Sequence, residues 1–188
     1  MLESDVDLET ALPGGVTLRR LSSGDAVVFA EHVALDLARL GAHLPWPART
    51  ATPQGAERWL EAYERGSDGR VLAAGAWSGA RLLGGAVLFH HDAVNANIEI
   101  GCWVLQAGEG AGVAFSACRV LLGIARDALG AERVEWRTST LNVRSLRLAG
   151  RLGFRREGTL RSNYVVAQAR FDTAVLALVG AEIDEAVA

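Results

Sequence analysis

Residues 98–114 read Ile98-Glu99-Ile100-Gly101-Cys102-Trp103-Val104-Leu105-Gln106-Ala107-Gly108-Glu109-Gly110-Ala111-Gly112-Val113-Ala114, a strand that runs straight into a glycine-rich turn and then a helix. Glycines let the backbone turn tightly and aim successive N–H groups at one spot. The helix behind them adds roughly half a positive charge at its N-terminus. Together they describe a phosphate site. Two common versions fail on the surrounding sequence. A nucleoside-triphosphate loop needs Gly-Lys-Ser/Thr, and the chain contains no lysine. A dinucleotide loop follows the first strand of a parallel unit, whereas this turn follows a hairpin and a third strand. Read from spacing alone, the turn serves either a phosphate or simply a tight connection.

Working outward, Val113, Ala117, Val120, Leu121, Ile124 and Ala128 recur at helical spacing and predict a helix to about Leu129. Upstream, Val71–Trp77, a Ser78-Gly79 turn and Leu82–Phe89 predict a hairpin, with Asn97–Leu105 as a third strand. Val16–Leu21 alternates as a strand. Ser22–Asp25 then caps a helix running to Leu40, and Thr52-Pro53 opens a second helix. Downstream come a strand at Val134–Ser139, a helix that Asn142 caps and Gly153 ends, and closing strands at Phe154–Val166 and Arg170–Val179. The order β-α-α-β-β-β-α-β-α-β-β has no linker or repeat. It predicts a single α+β domain over 1–188 in three layers, a mixed and mostly antiparallel central sheet flanked by helices. The acidic, aperiodic residues 1–12 read as a loose leader.

Composition narrows the function classes. With 188 residues, half of them hydrophobic and 22% charged, the chain is neither disordered nor of low complexity. No apolar run reaches the ~18 residues of a membrane span, and the N-terminus is acidic where a secretion signal is positive. A net charge of −3 argues against nucleic acid as a partner. All 19 basic residues are arginine, which points to a GC-rich, bacterial coding genome. Cys102 and Cys118 lie in apolar segments without metal or disulfide spacing, so they read as buried thiols in a cytoplasmic protein. His90-His91 ends a strand without the further ligands a metal needs, so the pair reads as surface and no metal is expected.

Residues 142–161 carry the more specific signal. Asn142-x-x-Ser145, an amphipathic turn, Leu152-Gly153-Phe154 and Glu157-Gly158-Thr159-Leu160-Arg161 closely resemble the signature of GNAT-superfamily N-acetyltransferases. The similarity is greatest to the branch that acetylates ribosomal-protein N-termini. Ile98–Val104 resembles that branch's fourth strand, and Leu44-Pro45-Trp46-Pro47 and Arg170-Phe171-Asp172 resemble further landmarks, in the right order along nearly the whole chain.

The resemblance implies an acyl-CoA co-substrate, most simply acetyl-CoA, with the glycine turn holding its pyrophosphate through Gly110, Ala111, Gly112, Val113 and Ala114. It further implies that Trp103, Val104 and Leu105 offer backbone groups to the pantetheine arm and thioester oxygen, and that Asn142 contacts that arm or caps its helix. Glu99 becomes the general base, acting through water. Ser145 becomes the hydroxyl near the departing sulfur, and Trp46 a border of the acceptor pocket. The acceptor would be a primary amine, a protein N-terminus or a small molecule, and a homodimer is expected by the same analogy. Glu109 and Ala111 depart from the family pattern, where a cation or neutral amide and a basic residue are usual. A carboxylate beside a pyrophosphate is unfavourable. This departure supports the alternative of a weakly CoA-binding, non-catalytic partner or sensor module. Arg144, Arg147 and Arg151 share one helix face and either compensate or form a solvated surface.

Overall fold

The structure, a computed structural model, describes residues 8–166 and 168–188. Strands β1 (Glu9–Leu12), β2 (Val16–Arg20), β3 (Leu72–Ser78), β4 (Arg81–Asp92), β5 (Asn97–Val104), β6 (Arg133–Ser139), β7 (Arg155–Val166) and β8 (Ala169–Val179) form one sheet in the order β1-β2-β3-β4-β5-β6-β8-β7. Every neighbouring pair is antiparallel except β5–β6, which is parallel. The mixed, mostly antiparallel sheet matches the expected class.

Helices α1 (Ala26–Leu35), α2 (Leu37–Gly41), α3 (Pro47–Thr50) and α4 (Pro53–Glu64) precede β3. Helix α5 (Val113–Asp127) follows β5, α6 (Val143–Arg151) follows β6, and α7 (Ala181–Val187) ends the chain. Two cores result, one per face of the sheet. One gathers Phe29, Val33, Leu60, Trp77, Leu82 and Trp103 beneath α1 and α4. The other gathers Ile98, Ile100, Leu121, Leu122, Val134 and Leu178 beneath α5. Strand β3 is buried from Leu72 to Trp77 without alternation because both of its faces are covered.

Four expectations change. Residues 9–12 of the supposed leader pair with Val16–Arg19 as β1, since the backbone groups of a short edge segment are better satisfied on the sheet; residues 1–7 lie outside the described residues. The single helix expected over 22–40 is a 3-10 turn followed by α1 and α2, broken at Asp36, whose carboxylate turns inward to the Gln106 N–H. A short helix α3 forms after Trp46, and α7 was not foreseen. The Thr52 cap on the Gly55 N–H, at 3.2 Å, is as the sequence indicates.

Candidate active site

Parallel pairing between β5 and β6 covers only Asn97↔Arg133, Ile98↔Val134 and Glu99↔Glu135. Beyond Glu99 the two strands part. The wedge between them opens into a cleft of about 2060 Å³ that reaches from α4 to α6. Glu99, Trp103, Gly112, Asn142 and Ser145 all line it, so one cleft collects most of the residues singled out in the sequence.

At the floor of the wedge, strand alternation decides which peptide groups are free. Leu105 N–H is spent on the Leu83 carbonyl at 2.9 Å, so Leu105, and Trp103 two residues earlier, face β4. Of the three residues expected to offer backbone groups, only Val104 points them into the wedge, and Cys102 joins it. The Trp103 side chain belongs to the core, edge-on to Phe29 and Trp46. Trp46 lines the cleft and also stacks on Trp59 with ring centroids 5.3 Å apart, so it is both pocket wall and packing element.

The glycine turn ends with Gly110 (φ +78°) and Gly112 (φ +70°), a conformation that would strain any residue with a Cβ. Gly112 is the N-cap of α5, and no side chain caps that helix. The first N–H groups, at Val113 and Ala114, therefore have no intrahelical partner. An added Cβ at Gly110 or Gly112 would meet nothing within 4 Å, so the loop faces open space. These features fit a pyrophosphate. Glu109 is not a bare charge beside it: its Oε1 accepts from Arg39 Nη1 at 3.0 Å and Arg144 Nη1 at 2.6 Å. Two guanidiniums from α2 and α6 thus meet at the loop and pair with this carboxylate. Arg39 also donates to the Val104 carbonyl and to Asp36. Burial pushes the Asp36 carboxyl upward, but Arg39 and the Gln106 N–H outweigh it and hold its pKa below the usual value.

Toward the base end, Glu99 is only 12% exposed. Its Oε2 lies 3.0 Å from His90 Nδ1 and 3.8 Å from Arg137 Nε. Its charge also adds to burial in raising the Tyr63 hydroxyl, and Tyr164 is pushed up to about 12 by burial first and Glu99 second. His90 is surface-exposed, as expected. Its link to Glu99 depends on a bulge: Phe89 pairs with Glu99 and Asp92 with Asn97, so His90-His91 oppose Ile98 alone.

Across the cleft, Asn142 caps α6 by accepting the Ser145 N–H at 3.2 Å, which fulfils the capping reading. Ser145 Oγ accepts Trp136 Nε1–H at 2.9 Å, so the hydroxyl keeps its own proton to donate. Of the two thiols expected to be buried, Cys118 is and Cys102 is only half-buried at the cleft. Cys102 and Cys118 are free, and a hydrogen bond between them together with burial holds the Cys118 thiol well above its ordinary pKa. Among the described residues no cluster of three metal-ligating side chains occurs, and no helix is long and apolar enough to cross a membrane.

Comparison with known proteins agrees with this architecture. The acetyltransferase (GNAT) domain family matches residues 16–155. "Putative ribosomal N-acetyltransferase YdaF" of Bacillus subtilis is 30% identical over 156 residues, 80% of this chain and 84% of that protein. The crystal structure of a "Probable acetyltransferase" is similar with TM-score 0.81 and 27% identity, over 92% of this chain and 97% of that one. RimL, a ribosomal L7/L12 α-N-protein acetyltransferase solved with coenzyme A, shares the fold at TM-score 0.83 and 16% identity, over 92% and 98% of the two chains. Wedge, glycine-capped helix and family match coincide on the same residues, and the chain belongs to the GNAT family of acetyltransferases.

Proposed function

We propose that this enzyme moves an acetyl group from acetyl-CoA to the α-amino group of a protein N-terminus, by direct attack with both substrates bound. One observation carries the reading: a single cleft holds an acid–base pair at Glu99, a hydroxyl donor at Ser145 and uncapped N–H groups at the start of α5. Similarity to the YdaF protein favours a protein amine over a small molecule as acceptor. The same resemblance carries our expectation of a cytoplasmic homodimer, which sedimentation of the pure protein checks.

An α-amino group has a reference pKa near 8 and is mostly protonated at neutral pH, so a proton must leave before attack. Glu99 and the groups bonded to it receive that proton, directly or through water. The pyrophosphate of the co-substrate rests on the N–H groups of Gly110, Gly112, Val113 and Ala114 under Arg39 and Arg144, the Ala111 N–H being bonded to the Gly108 carbonyl, and its arm lies in the wedge along Cys102 and Val104. Those peptide groups stand where the thioester oxygen gains charge. Ser145, its oxygen fixed by Trp136, gives its proton to the departing sulfur.

The test is acetyl-CoA with peptides that differ only in a free α-amine, a blocked α-amine with internal lysine, or no amine, read by mass spectrometry. Acetylation of the first alone is the expected result. Labelling of lysine alone, or of no peptide while small amines react, would overturn the N-terminal assignment.

A further inference from the structure

His90 sits in the left-handed region (φ +51°), a conformation that costs a non-glycine residue energy and persists only where the surroundings impose it. The bulge at His90-His91 creates it, and the preceding loop braces it: a Cβ on Gly69 would lie 3.3 Å from His90 Cα. The strained backbone aims the ring at Glu99, nine residues away in sequence, with Nδ1 3.0 Å from Oε2. Exposure divides the pair. Glu99 is 12% exposed and His90 66%, so the carboxylate lies behind and the imidazole faces the open cleft. Among the described residues no hydrogen bond is made to His90 Nε2, and the ring packs against Phe89 with centroids 4.7 Å apart.

Resting on the acetyl-transfer reading above, we propose that His90 Nε2 is the atom that takes the ammonium proton of the acceptor, while Glu99 holds the ring by its Nδ1–H. The carboxylate fixes the tautomer in which Nε2 carries the lone pair and stabilises the imidazolium once it forms. Glu99 then acts through His90 as a positioning residue.

The atoms balance. The proton passes from the ammonium nitrogen to Nε2 and leaves a neutral amine. The amine lone pair forms the bond to the thioester carbonyl carbon, and the carbon–sulfur bond breaks with its electron pair going to sulfur. Sulfur takes the Ser145 hydroxyl proton, and the second proton shed by the new amide nitrogen restores the serine. The imidazolium releases its proton to solvent, which its exposure permits.

The charged groups around the ring are Glu99 on β5, Arg137 and Glu135 on β6, Arg70 and Asp68 before β3, and Asp92 along β4. The hydrogen bond to Glu99 is the largest influence; it outweighs partial burial and the two arginines and raises the His90 pKa above the ordinary value. A base must be deprotonated, so activity rises with pH through the His90 titration.

His90→Asn tests the assignment, because asparagine tolerates positive φ and can still donate to Glu99 but cannot take up a proton. We expect kcat/KM for the acceptor peptide to fall about 10²–10³-fold near neutral pH. The KM for acetyl-CoA should not change, and the rising acidic limb of the profile should move from the His90 titration to that of the acceptor amine. A second readout needs no turnover. In ¹⁵N spectra of the free protein, the ring resonances that His90→Asn deletes should titrate above ordinary histidine as the Nδ1–H tautomer. Glu99→Gln should lower that titration. Wild-type transfer that His90→Asn leaves within twofold, with the acidic limb intact, would overturn the base role. Ring titration unmoved by Glu99→Gln would overturn the pairing. Absence of wild-type transfer to every amine, with the paired titration present, would instead sink the acetyl-transfer reading and the base role with it.

Discussion

Ser145 has two hydrogen bonds and one remaining proton, and this is what makes it legible as a donor. Its N–H belongs to the Asn142 cap, its oxygen receives Trp136, and the hydroxyl hydrogen is left for the cleft. Ser145→Ala removes that proton and leaves a buried indole N–H unpaired, at a cost of about 1–3 kcal/mol in stability. We expect a loss in kcat with little change in acetyl-CoA affinity, and a lower denaturation midpoint, measured together on one preparation. Glu99→Gln should separate these effects. It is expected to lower kcat by no more than His90→Asn does, up to about 10²–10³-fold, while acetyl-CoA affinity stays unchanged in a binding titration. Ser145 and Glu99 could be named from sequence because family spacing marks them. His90 could not, since its contact needs one extra residue in β4, and strand pairing rather than local pattern determines where a bulge falls.

Among elements, the join between α1, α2 and the end of β5 is the part least visible in the sequence. The apolar positions from Val28 to Leu40 read as one helix, but Asp36 ends it to reach Gln106, seventy residues away. A tertiary partner at that range overrides a local signal. By contrast α5, β6 and α6 were readable because long periodic runs and an asparagine cap are local. Asp36 also places Arg39 beside Glu109, so that glutamate stands paired with two arginines at the glycine turn. Glu109→Gln keeps both guanidiniums and removes one negative charge. Acetyl-CoA should then bind more tightly, about fivefold at low ionic strength, and the gain should shrink as salt rises. Calorimetry at two salt concentrations checks it. Strands β4 and β5 touch as closely as glycine allows. A Cβ on Gly85 would overlap the Ala74 carbonyl and the Trp103 ring, so Gly85→Ala should cost about 1–3 kcal/mol or more in urea denaturation.

Across the whole molecule, the fold divides into one core beneath α1 and α4 and another beneath α5, on opposite faces of the sheet that the β5–β6 wedge splits. Ion pairs link this framework to pH. Burial alone would raise Asp25, Asp36 and Glu135, but arginine and N–H partners outweigh it and leave all three below the usual carboxylate range. Such groups stabilise the fold fully above the unfolded value near 4 and lose that contribution as pH falls through their lower folded values. His90 has the opposite sign: its contribution is present below about 6.5 and is lost as pH rises through its raised folded value. Thermal melts across a pH series should therefore show the midpoint dropping below about pH 4, and His90→Asn should lose stability at mildly acidic pH but not at pH above the raised folded value of His90.

Acetyl transfer by this site requires the glycine turn, despite Glu109, to hold an acyl-CoA with its thioester in the wedge. Calorimetric titration of the pure protein with acetyl-CoA, beside free CoA and succinyl-CoA, tests this most directly. Saturable micromolar binding of acetyl-CoA is the predicted result. No heat from any of the three at millimolar concentration would contradict it, and would leave the cleft without its co-substrate.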